Sequence, residues 1–316
     1  MPANPVLVEV ERSGHVESRH RGVAVGLDGD GRQVVRRGET DVPVFPRSAN
    51  KPLQATAMLR HGLDLEGELL ALAAASHSGE DFHVGGARRI LGRAELTPDA
   101  LRCPAQWPLD EDAAQELIKA GGRPTRLHMN CSGKHAAMLA TCVVNDWPTE
   151  SYRDPGHPLQ VAIRTTIEEL AGEKVAATGV DGCGAPLFAL SLTGVARAFR
   201  ALVLAAPGTP ERRVADAMRA HPEWTSGTRR DERRLMDALP GLLVKAGAEG
   251  VDAFAFADGR AGAVKIEDGA KRARTPVTVA LLQALDLRGA PPDLATVPVH
   301  GGGEVVGAIR PVPGIF

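Results

Sequence analysis

A serine and a lysine stand three residues apart in the stretch 46-PRSANKPLQA-55. A serine hydroxyl is a weak nucleophile until a neighbouring base takes its proton. Residues three apart lie on one face of a helix, so Lys51 would project beside Ser48 at a helix start. The chain has 30 arginines and only 7 lysines. A lysine suits a site that needs a removable proton, because buried lysine can lose its proton near neutral pH and arginine effectively cannot.

Two further segments carry hydroxyl and amine groups that could take part in proton transfer. In 76-SHSGE-80 we interpret Ser78 as a second hydroxyl that passes a proton to a leaving group, although small polar residues after an apolar helix also form ordinary loops. In 244-VKAGAEGV-251, Lys245 precedes small residues that would let a substrate lie along a strand edge. Lys265, on the neighbouring strand pair, is the alternative lysine.

Soft and basic side chains are concentrated in 127-LHMNCSGKHAAMLA-140 and 178-TGVDGCGAPLFAL-190. The glycines of the second segment predict a sharply bent loop, with Pro186 opening a helix. Cys131 and Cys183 are candidate soft ligands for zinc. The third ligand would be Lys134 or His135. The alternatives are two small buried residues, or a cysteine nucleophile paired with the histidine.

Composition restricts the classes of protein and partner. Of 316 residues, 43% are hydrophobic and 24% are charged, and the net charge is −2. This permits a large core and gives no electrostatic reason for a nucleic-acid or membrane partner. We expect a cytoplasmic protein, because the N-terminus shows no signal-peptide pattern and no apolar run is long enough to span a bilayer. The four cysteines should then stay reduced.

The sequence patterns of the elements that must position these side chains predict an α+β fold. It would have an antiparallel sheet flanked by helices and a mostly helical lobe. Alternating patterns near both ends predict the strands, and 3.6-residue periodicity predicts helices between them. We expect one domain over residues 1–316, with a sheet lobe at about 1–45 and 240–316 and a helical lobe at about 46–239. The predicted helices include 186–200 and 276–287.

The ordered set PRSANKPLQ, SHSGE, HMNCSGKHAAML, GVDGCGAPLFAL and KAGAEGV resembles the asparaginase II family, the thermolabile, inducible bacterial L-asparaginases of the rhizobial type. A serine–lysine pair, a later serine and K-x-G on a C-terminal strand are also similar to the serine β-lactamase fold, which the serine glutaminases share. The resemblance implies that fold, an L-asparagine amidohydrolase yielding L-aspartate and ammonia, and a homodimer.

The resemblance further implies two serine–lysine tandems and one zinc site. They fall here on Ser48 with Lys51, on Ser78 with Lys245, and on Cys131, Lys134 and Cys183. Zinc would assist substrate binding rather than perform the hydrolysis, and its lysine ligand would bind as the neutral amine.

The reaction that we expect is acyl transfer. Lys51 takes the proton of Ser48, whose Oγ attacks the side-chain amide of asparagine, and backbone N–H groups at the helix start hold the oxyanion. Ser78 and Lys245 relay a proton to the leaving ammonia, and water then hydrolyses the β-aspartyl ester. The candidate substrate contacts are Arg47 for the α-carboxylate, Asp181 for the α-ammonium, and Asn130, His135 and Gly182 as further binding residues.

Two other classes of protein would share part of this pattern. A β-lactam hydrolase or transpeptidase would also use Ser48 and Lys51, but it would need an export signal to reach its substrates. A zinc-stabilised binding protein would need Cys131 and Cys183 and could dispense with the serine. The sole tyrosine, Tyr152, lies outside every motif. This departs from the serine glutaminases, in which tyrosines help catalysis, and the comparison implies that glutamine is a poorer candidate than asparagine for the main substrate.

Overall fold

The structure is a computed structural model that describes residues 4–316. Their strands, in chain order, are β1 (Val6–Arg12), β2 (His15–Leu27), β3 (Gln33–Arg37), β4 (Pro43–Val44), β5 (Ala177–Val180), β6 (Pro186–Ser191), β7 (Leu242–Gly247), β8 (Val251–Phe256), β9 (Ala261–Ile266), β10 (Val297–Gly301) and β11 (Glu304–Pro311). The main sheet is antiparallel, in the order β10-β11-β1-β2-β9-β8-β7, with β3 paired to β2. A small sheet has the order β4-β6-β5.

The helices of the described residues are α1 (Lys51–Arg60), α2 (Gly67–Ala73), α3 (Asp81–Arg93), α4 (Glu111–Lys119), α5 (Ser132–Val144), α6 (Pro158–Ala171), α7 (Leu192–Leu204), α8 (Pro210–Ala220), α9 (Pro222–Thr225), α10 (Asp231–Ala238), α11 (Lys271–Ala284) and α12 (Pro292–Ala295), with 3-10 helices at Arg47–Asn50 and Pro98–Ala100. The α+β fold class with an antiparallel, helix-flanked sheet is therefore confirmed. Among residues 4–316, no helix has both the length and the apolar character needed to cross a membrane.

The main sheet separates two hydrophobic cores, because successive residues of a strand point to opposite faces. In β7, Leu243 belongs to the core shared with the central helices and Val244 to the core under α11. The adjacent β8 divides in the same way, with Ala253 on the first side and Phe254 on the second. Helix α7 packs on the first face and α11 on the second, so both faces of the central strands are covered.

The predicted helix at 186–200 is wrong in its first part. Residues Pro186–Ser191 form β6, a fully buried strand between β4 and β5. Only then does α7 begin, and the side chain of Ser191 caps it by accepting a hydrogen bond from the backbone N–H of Gly194. A run of six apolar or small residues does not distinguish a buried strand from a helix by periodicity.

The helix predicted at 276–287 begins earlier than its proline suggested. Helix α11 spans Lys271–Ala284 and contains Pro276 in its second turn. A proline there lacks the N–H that would pair with the carbonyl of Arg272. The first turn contains the basic side chains of Lys271, Arg272 and Arg274 and no acidic residue.

Strand β7 forms one end of the main sheet and lies directly against the 3-10 helix Arg47–Asn50. A Cβ atom at Gly247 would stand 2.4 Å from the carbonyl oxygen of Pro46 and 3.3 Å from the backbone nitrogen of Ala49. Glycine therefore permits this close approach, which brings the end of β7 beside Ser48. Helix α1 follows directly and is buried from Lys51 to Leu59.

Candidate active site

A cavity of about 220 Å³ opens where β7, the 3-10 helix and the loop after α2 meet. Ser48 and Ser76 both line it, together with Asn130. The end of the edge strand, at Ala246 and Gly247, forms another part of its wall. The cavity therefore holds two hydroxyl groups and an amide beside the end of the edge strand.

Ser76 lies between two buried lysines. Its Oγ accepts a hydrogen bond of 2.9 Å from Nζ of Lys51 and another of 2.9 Å from Nζ of Lys245. The first lysine also donates to the carbonyl oxygen of Ala75 at 2.6 Å, and the second to that of Ala246 at 2.6 Å. Within residues 4–316, Lys51 makes these two bonds and none to Ser48.

The hydroxyl expected at Ser78 is instead supplied by Ser76. Ser78 Oγ donates to the carbonyl oxygen of Ser226 at 3.1 Å, and a Cβ at Gly227 would stand 2.1 Å from it. Ser78 thus faces the 226–227 segment, while Ser76 faces the lysines. Of the two serines in the motif, the structure brings Ser76, and not the predicted Ser78, into contact with Lys245.

The lysine chosen from the C-terminal strands lies at the site, and its rival does not. Lys245 is fully buried on β7. Burial, together with the charge of Lys51, lowers the pKa of Lys245 to about 7. Lys265 lies on β9, where its Nζ donates to the carbonyl oxygen of Glu249 at 2.7 Å, and it has no hydrogen bond to either cavity serine among the described residues.

The loop that presents Ser76 is held by a neutral histidine. Nδ1 of His77 accepts from the backbone N–H of Gly79 at 3.1 Å, and its Nε2 lies 2.8 Å from Oγ of Ser132. That hydroxyl already donates to a carbonyl oxygen, so Nε2 must carry the ring proton. Burial lowers the pKa of His77 well below its usual value, which keeps this hydrogen-bond pattern in place. The backbone N–H of His77 also donates to the carbonyl oxygen of Asn130 at 3.0 Å.

Arg47, the expected partner of a substrate carboxylate, is engaged by protein carboxylates. Its Nε donates to Oδ1 of Asp181 at 2.8 Å, and its Nη1 lies 3.9 Å from Glu249. Its backbone has the left-handed φ of 54°, which costs energy for a residue with a side chain. Arg47 and Asp181 are thus paired with each other beside Ser48. Gly182 lies next to them: a Cβ atom built on this glycine would stand 3.8 Å from Nη2 of Arg47.

Two buried thiols and a buried lysine form a second cluster. Nζ of Lys134 lies 3.1 Å from Sγ of Cys183, and the thiol of Cys131 lies beside the same sulfur. The Cys131 thiol and the Lys134 ammonium lower the pKa of Cys183 far below its usual value, although burial opposes this. Burial lowers the pKa of Lys134, but the two sulfurs raise it, and the net pKa of the amine lies above its usual value. The Cys131 thiol and the Lys134 ammonium therefore both favour a negative charge on Cys183.

His135 stands next to this cluster with one free ring nitrogen. Its Nδ1 lies 2.6 Å from the hydroxyl of Tyr152, and its Nε2 is buried without a hydrogen-bond partner. Among the residues described, no group of three or more His, Cys, Asp or Glu side chains is arranged to hold a metal ion. A metal here would therefore need the lysine amine as a ligand in addition to the two sulfurs.

The order of motifs along the chain and their convergence on one cavity can be compared with known families. A family model described as L-asparaginase II matches residues 8–311. The chain belongs to the L-asparaginase II family. The expected family is thereby confirmed, and so is the expected enzyme class at the level of the family, which is one of amidohydrolases.

Two solved structures are similar over most of this L-asparaginase II chain. The crystal structure of Mglu in its tris and glutamate form is 15% identical, with a TM-score of 0.40, over 90% of this chain and 64% of that one. EstCE1, described as a hydrolase with promiscuous acyltransferase activity, is 11% identical, with a TM-score of 0.41, over 88% of this chain and 92% of its own. The present chain thus spans about 64% of the length of the first structure. A comparison with curated proteins gave no match.

Several cavity residues of the L-asparaginase II chain were missed by the sequence analysis. Charged residues from three separate segments line the cavity: Arg230, Glu249, Lys271 and Arg274. Leu109, which precedes α4, also lines it. Glu249 lies within the segment 244-VKAGAEGV-251 but was not singled out there. The other residues belong to no motif, and no signal in the sequence distinguishes them from ordinary surface or capping residues. Of the predicted binding residues, Asn130 lines the cavity.

Proposed function

We propose that this member of the L-asparaginase II family hydrolyses L-asparagine to L-aspartate and ammonia through an acyl-enzyme on Ser48. The observation that carries the proposal is the hydroxyl of Ser76, which is bonded at 2.9 Å to both Lys51 and Lys245 in the wall of the cavity that Ser48 lines. Such a pair of amines can supply a base and an acid within one site.

Lys245 is the amine that loses its proton near neutral pH. Two ammonium groups on one hydroxyl repel each other, and burial adds a cost to each charge. Burial, and then the charge of Lys51, lower the pKa of Lys245 to about 7. Because Ser76 Oγ connects the two nitrogens, the remaining proton can pass between them.

The hydrogen bonds of Lys51 suit the role of base. A neutral amine has two N–H donors and one lone pair. Its two donors are accounted for by the carbonyl oxygen of Ala75 and by Ser76 Oγ, which leaves the lone pair for the proton of Ser48. As that proton leaves, Ser48 Oγ bonds to the amide carbon, and N–H groups at the start of the 3-10 helix hold the oxyanion.

Ser76 and Lys245 then serve the leaving group. The carbon–nitrogen bond breaks, the nitrogen takes the hydroxyl proton of Ser76, and Lys245 replaces that proton, so ammonia departs neutral. Water next attacks the β-aspartyl ester, and its proton returns to the amine pair. Ser48 regains its hydrogen as L-aspartate is released, which restores the starting protonation state of the site.

We further propose a zinc ion bound by Cys131, Lys134 and Cys183. The donor set fits, because the two sulfurs and the lysine nitrogen lie together and the surroundings of Cys183 lower its pKa, which favours the thiolate that binds a metal. When bound, zinc would supply a fixed positive charge in place of the Lys134 ammonium. Its effect on the reaction would be exerted through Asp181 and Arg47, which adjoin the cluster.

The proposed function is tested by ammonia release from L-asparagine and L-glutamine. We expect release from asparagine by the wild type, a loss of at least about 10³-fold in Ser48→Ala and in Ser76→Ala, and retained activity in Ser78→Ala. The last variant is the matched control, since it removes a hydroxyl from the same loop. Intact-mass analysis of quenched turnover should show an added aspartyl group in the wild type and none in Ser48→Ala. Activity in Ser48→Ala, or equal loss in Ser78→Ala, would contradict the proposal.

A further inference from the structure

Three cations and one carboxylate line the cavity beside the two serines. The cations are Arg230, Lys271 and Arg274, and the carboxylate, among the described lining residues, is Glu249. The proposed chemistry uses none of them. A cavity of about 220 Å³ accommodates a single amino acid, so each of these groups is within reach of a molecule whose amide lies at Ser48.

Lys271 stands where a helix disfavours a cation. It is the first residue of α11, whose first turn has no acidic residue and whose N-terminus has no side-chain cap. The positive end of the helix dipole and the unpaired N–H groups there favour an anion. Lys271 makes no ion pair with a carboxylate among residues 4–316, unlike most arginines of the chain. Asp231 and Glu232 are near enough to raise its pKa, but neither carboxylate lies within ion-pair distance of its amine.

Arg274 is a second, buried cation in the cavity wall. Only 4% of the residue is exposed, and its Nε forms an ion pair with Oδ1 of Asp252 at 3.2 Å. Arg230 has a partner in Glu232 at 3.3 Å, which leaves the rest of its guanidinium available. Burial lowers the pKa of Lys271, and the cations of Arg230 and Arg274 lower it further. A bound anion would offset this repulsion.

We propose that Lys271 and Arg230, supported by Arg274, bind the α-carboxylate of the substrate, while Glu249 binds its α-ammonium. The proposal rests on the proposed function and names the substrate class of that site: free amino acids that carry both charged groups. In asparagine the α-carboxylate carbon is three bonds from the amide carbon, so both ends of the molecule lie in one small cavity. Asparagine within a peptide lacks both charges and is excluded.

Arg47 is a poorer partner for the carboxylate than these cations. Its Nε is already bonded to Asp181 at 2.8 Å, and it is not among the residues that line the cavity. A substrate carboxylate would have to displace this ion pair in order to reach it. Lys271, which makes no ion pair among the described residues, requires no such displacement.

The test compares Lys271→Gln with wild type on two substrates. These are L-asparagine and its α-N-methylamide, in which the α-carboxylate is replaced by a neutral group. We expect KM for L-asparagine to rise on the order of tenfold, the value of one lost charge-assisted contact, with kcat within about twofold. Turnover of the N-methylamide should be equal in both proteins. An unchanged KM, or an equal loss on both substrates, would overturn the proposal.

Three controls separate the effect of this contact from that of a neighbouring charge, from folding and from the proposed reaction. Arg272→Gln removes a neighbouring cation of the same turn, which contacts His20 instead of the cavity, and should leave KM unchanged. Thermal melting should show Lys271→Gln to be at least as stable as wild type, because a cation leaves the helix N-terminus.

Calorimetric binding of L-aspartate, which requires no turnover, should weaken in Lys271→Gln. If wild type binds aspartate and that binding weakens while no ammonia is released, the carboxylate site holds and the proposed reaction fails. If aspartate binding is equal in both proteins, the carboxylate site fails.

Discussion

The protonation of Lys245, which contacts the hydroxyl of Ser76, depends on its burial and on neighbouring charged side chains. Lys245 would be an ordinary ammonium in water, but burial and the nearby charge of Lys51 lower its pKa to about 7. The carboxylate of Glu232 has the opposite effect on the same group. The protonation state of the site therefore depends on residues that do not line the cavity.

At this scale we predict that kcat/KM rises with pH through about 7, because Lys245, whose pKa burial lowers to about 7, must lose its proton before Ser48 can be activated. Glu232→Gln should move this rise to lower pH, since the carboxylate of Glu232 raises the pKa of Lys245. Lys265→Met is the control and should leave the profile unchanged. A rise that moves to higher pH in Glu232→Gln would contradict this account of the pair.

The choice between Ser76 and Ser78 could not be made from the sequence. Both lie in one small polar motif, and the side chain that faces the lysines is fixed by long-range contacts. The N–H of Ser76 donates to the carbonyl oxygen of Thr225 at 3.1 Å, and that of His77 to Asn130. These partners are more than 50 residues away along the chain, so no local pattern contains them.

At the scale of elements, the site depends on how closely β7 approaches the 3-10 helix that carries Ser48. The lysine of β7 was predicted from its position in the chain, and its strand pairing with β8 agrees with that prediction. The residue that permits the contact is Gly247, where an added Cβ would stand 2.4 Å from the carbonyl oxygen of Pro46. A backbone atom cannot move away as a flexible side chain can.

We therefore predict that Gly247→Ala lowers kcat by at least about tenfold, because the helix with Ser48 must shift away from Lys245, and a displacement of about 1 Å is costly in catalysis. Gly85→Ala is the matched control: Gly85 lies inside α3, and a Cβ there would meet nothing within 4 Å. It should leave kcat unchanged and keep or raise the melting temperature. Parallel kinetics and melting curves check both variants, and wild-type kcat in Gly247→Ala would refute the argument.

At the scale of the whole molecule, the thiol cluster joins distant parts of the chain. Cys131 precedes α5, and Cys183 lies in the turn between β5 and β6. We predict about one zinc per purified chain, and loss of that metal and a lower melting temperature in Cys183→Ser, because a metal bound by the folded state stabilises it. Elemental analysis and melting curves measure both quantities.

Cys142→Ser provides the control for this prediction. Cys142 is a buried thiol of α5 outside the cluster, so its replacement should affect packing but retain the metal. Equal metal content in the wild type and both variants would remove the zinc proposal. The homodimer implied by the family stays a prediction, and sedimentation equilibrium would show twice the 33.2 kDa of the chain.

The sequence by itself determined the family, the α+β class, and the segments that supply the chemistry, because those depend on residue types and local order. It also predicted roles for Ser48, Lys51 and Lys245; in the structure both lysines contact one hydroxyl, in the wall of the cavity that Ser48 lines. Only the tertiary structure decided that this hydroxyl belongs to Ser76, that residues 186–191 form a strand, and that Lys271 faces the same cavity. Each of these depends on which distant segments pack together, and packing partners are set by burial over the whole chain and not by local spacing.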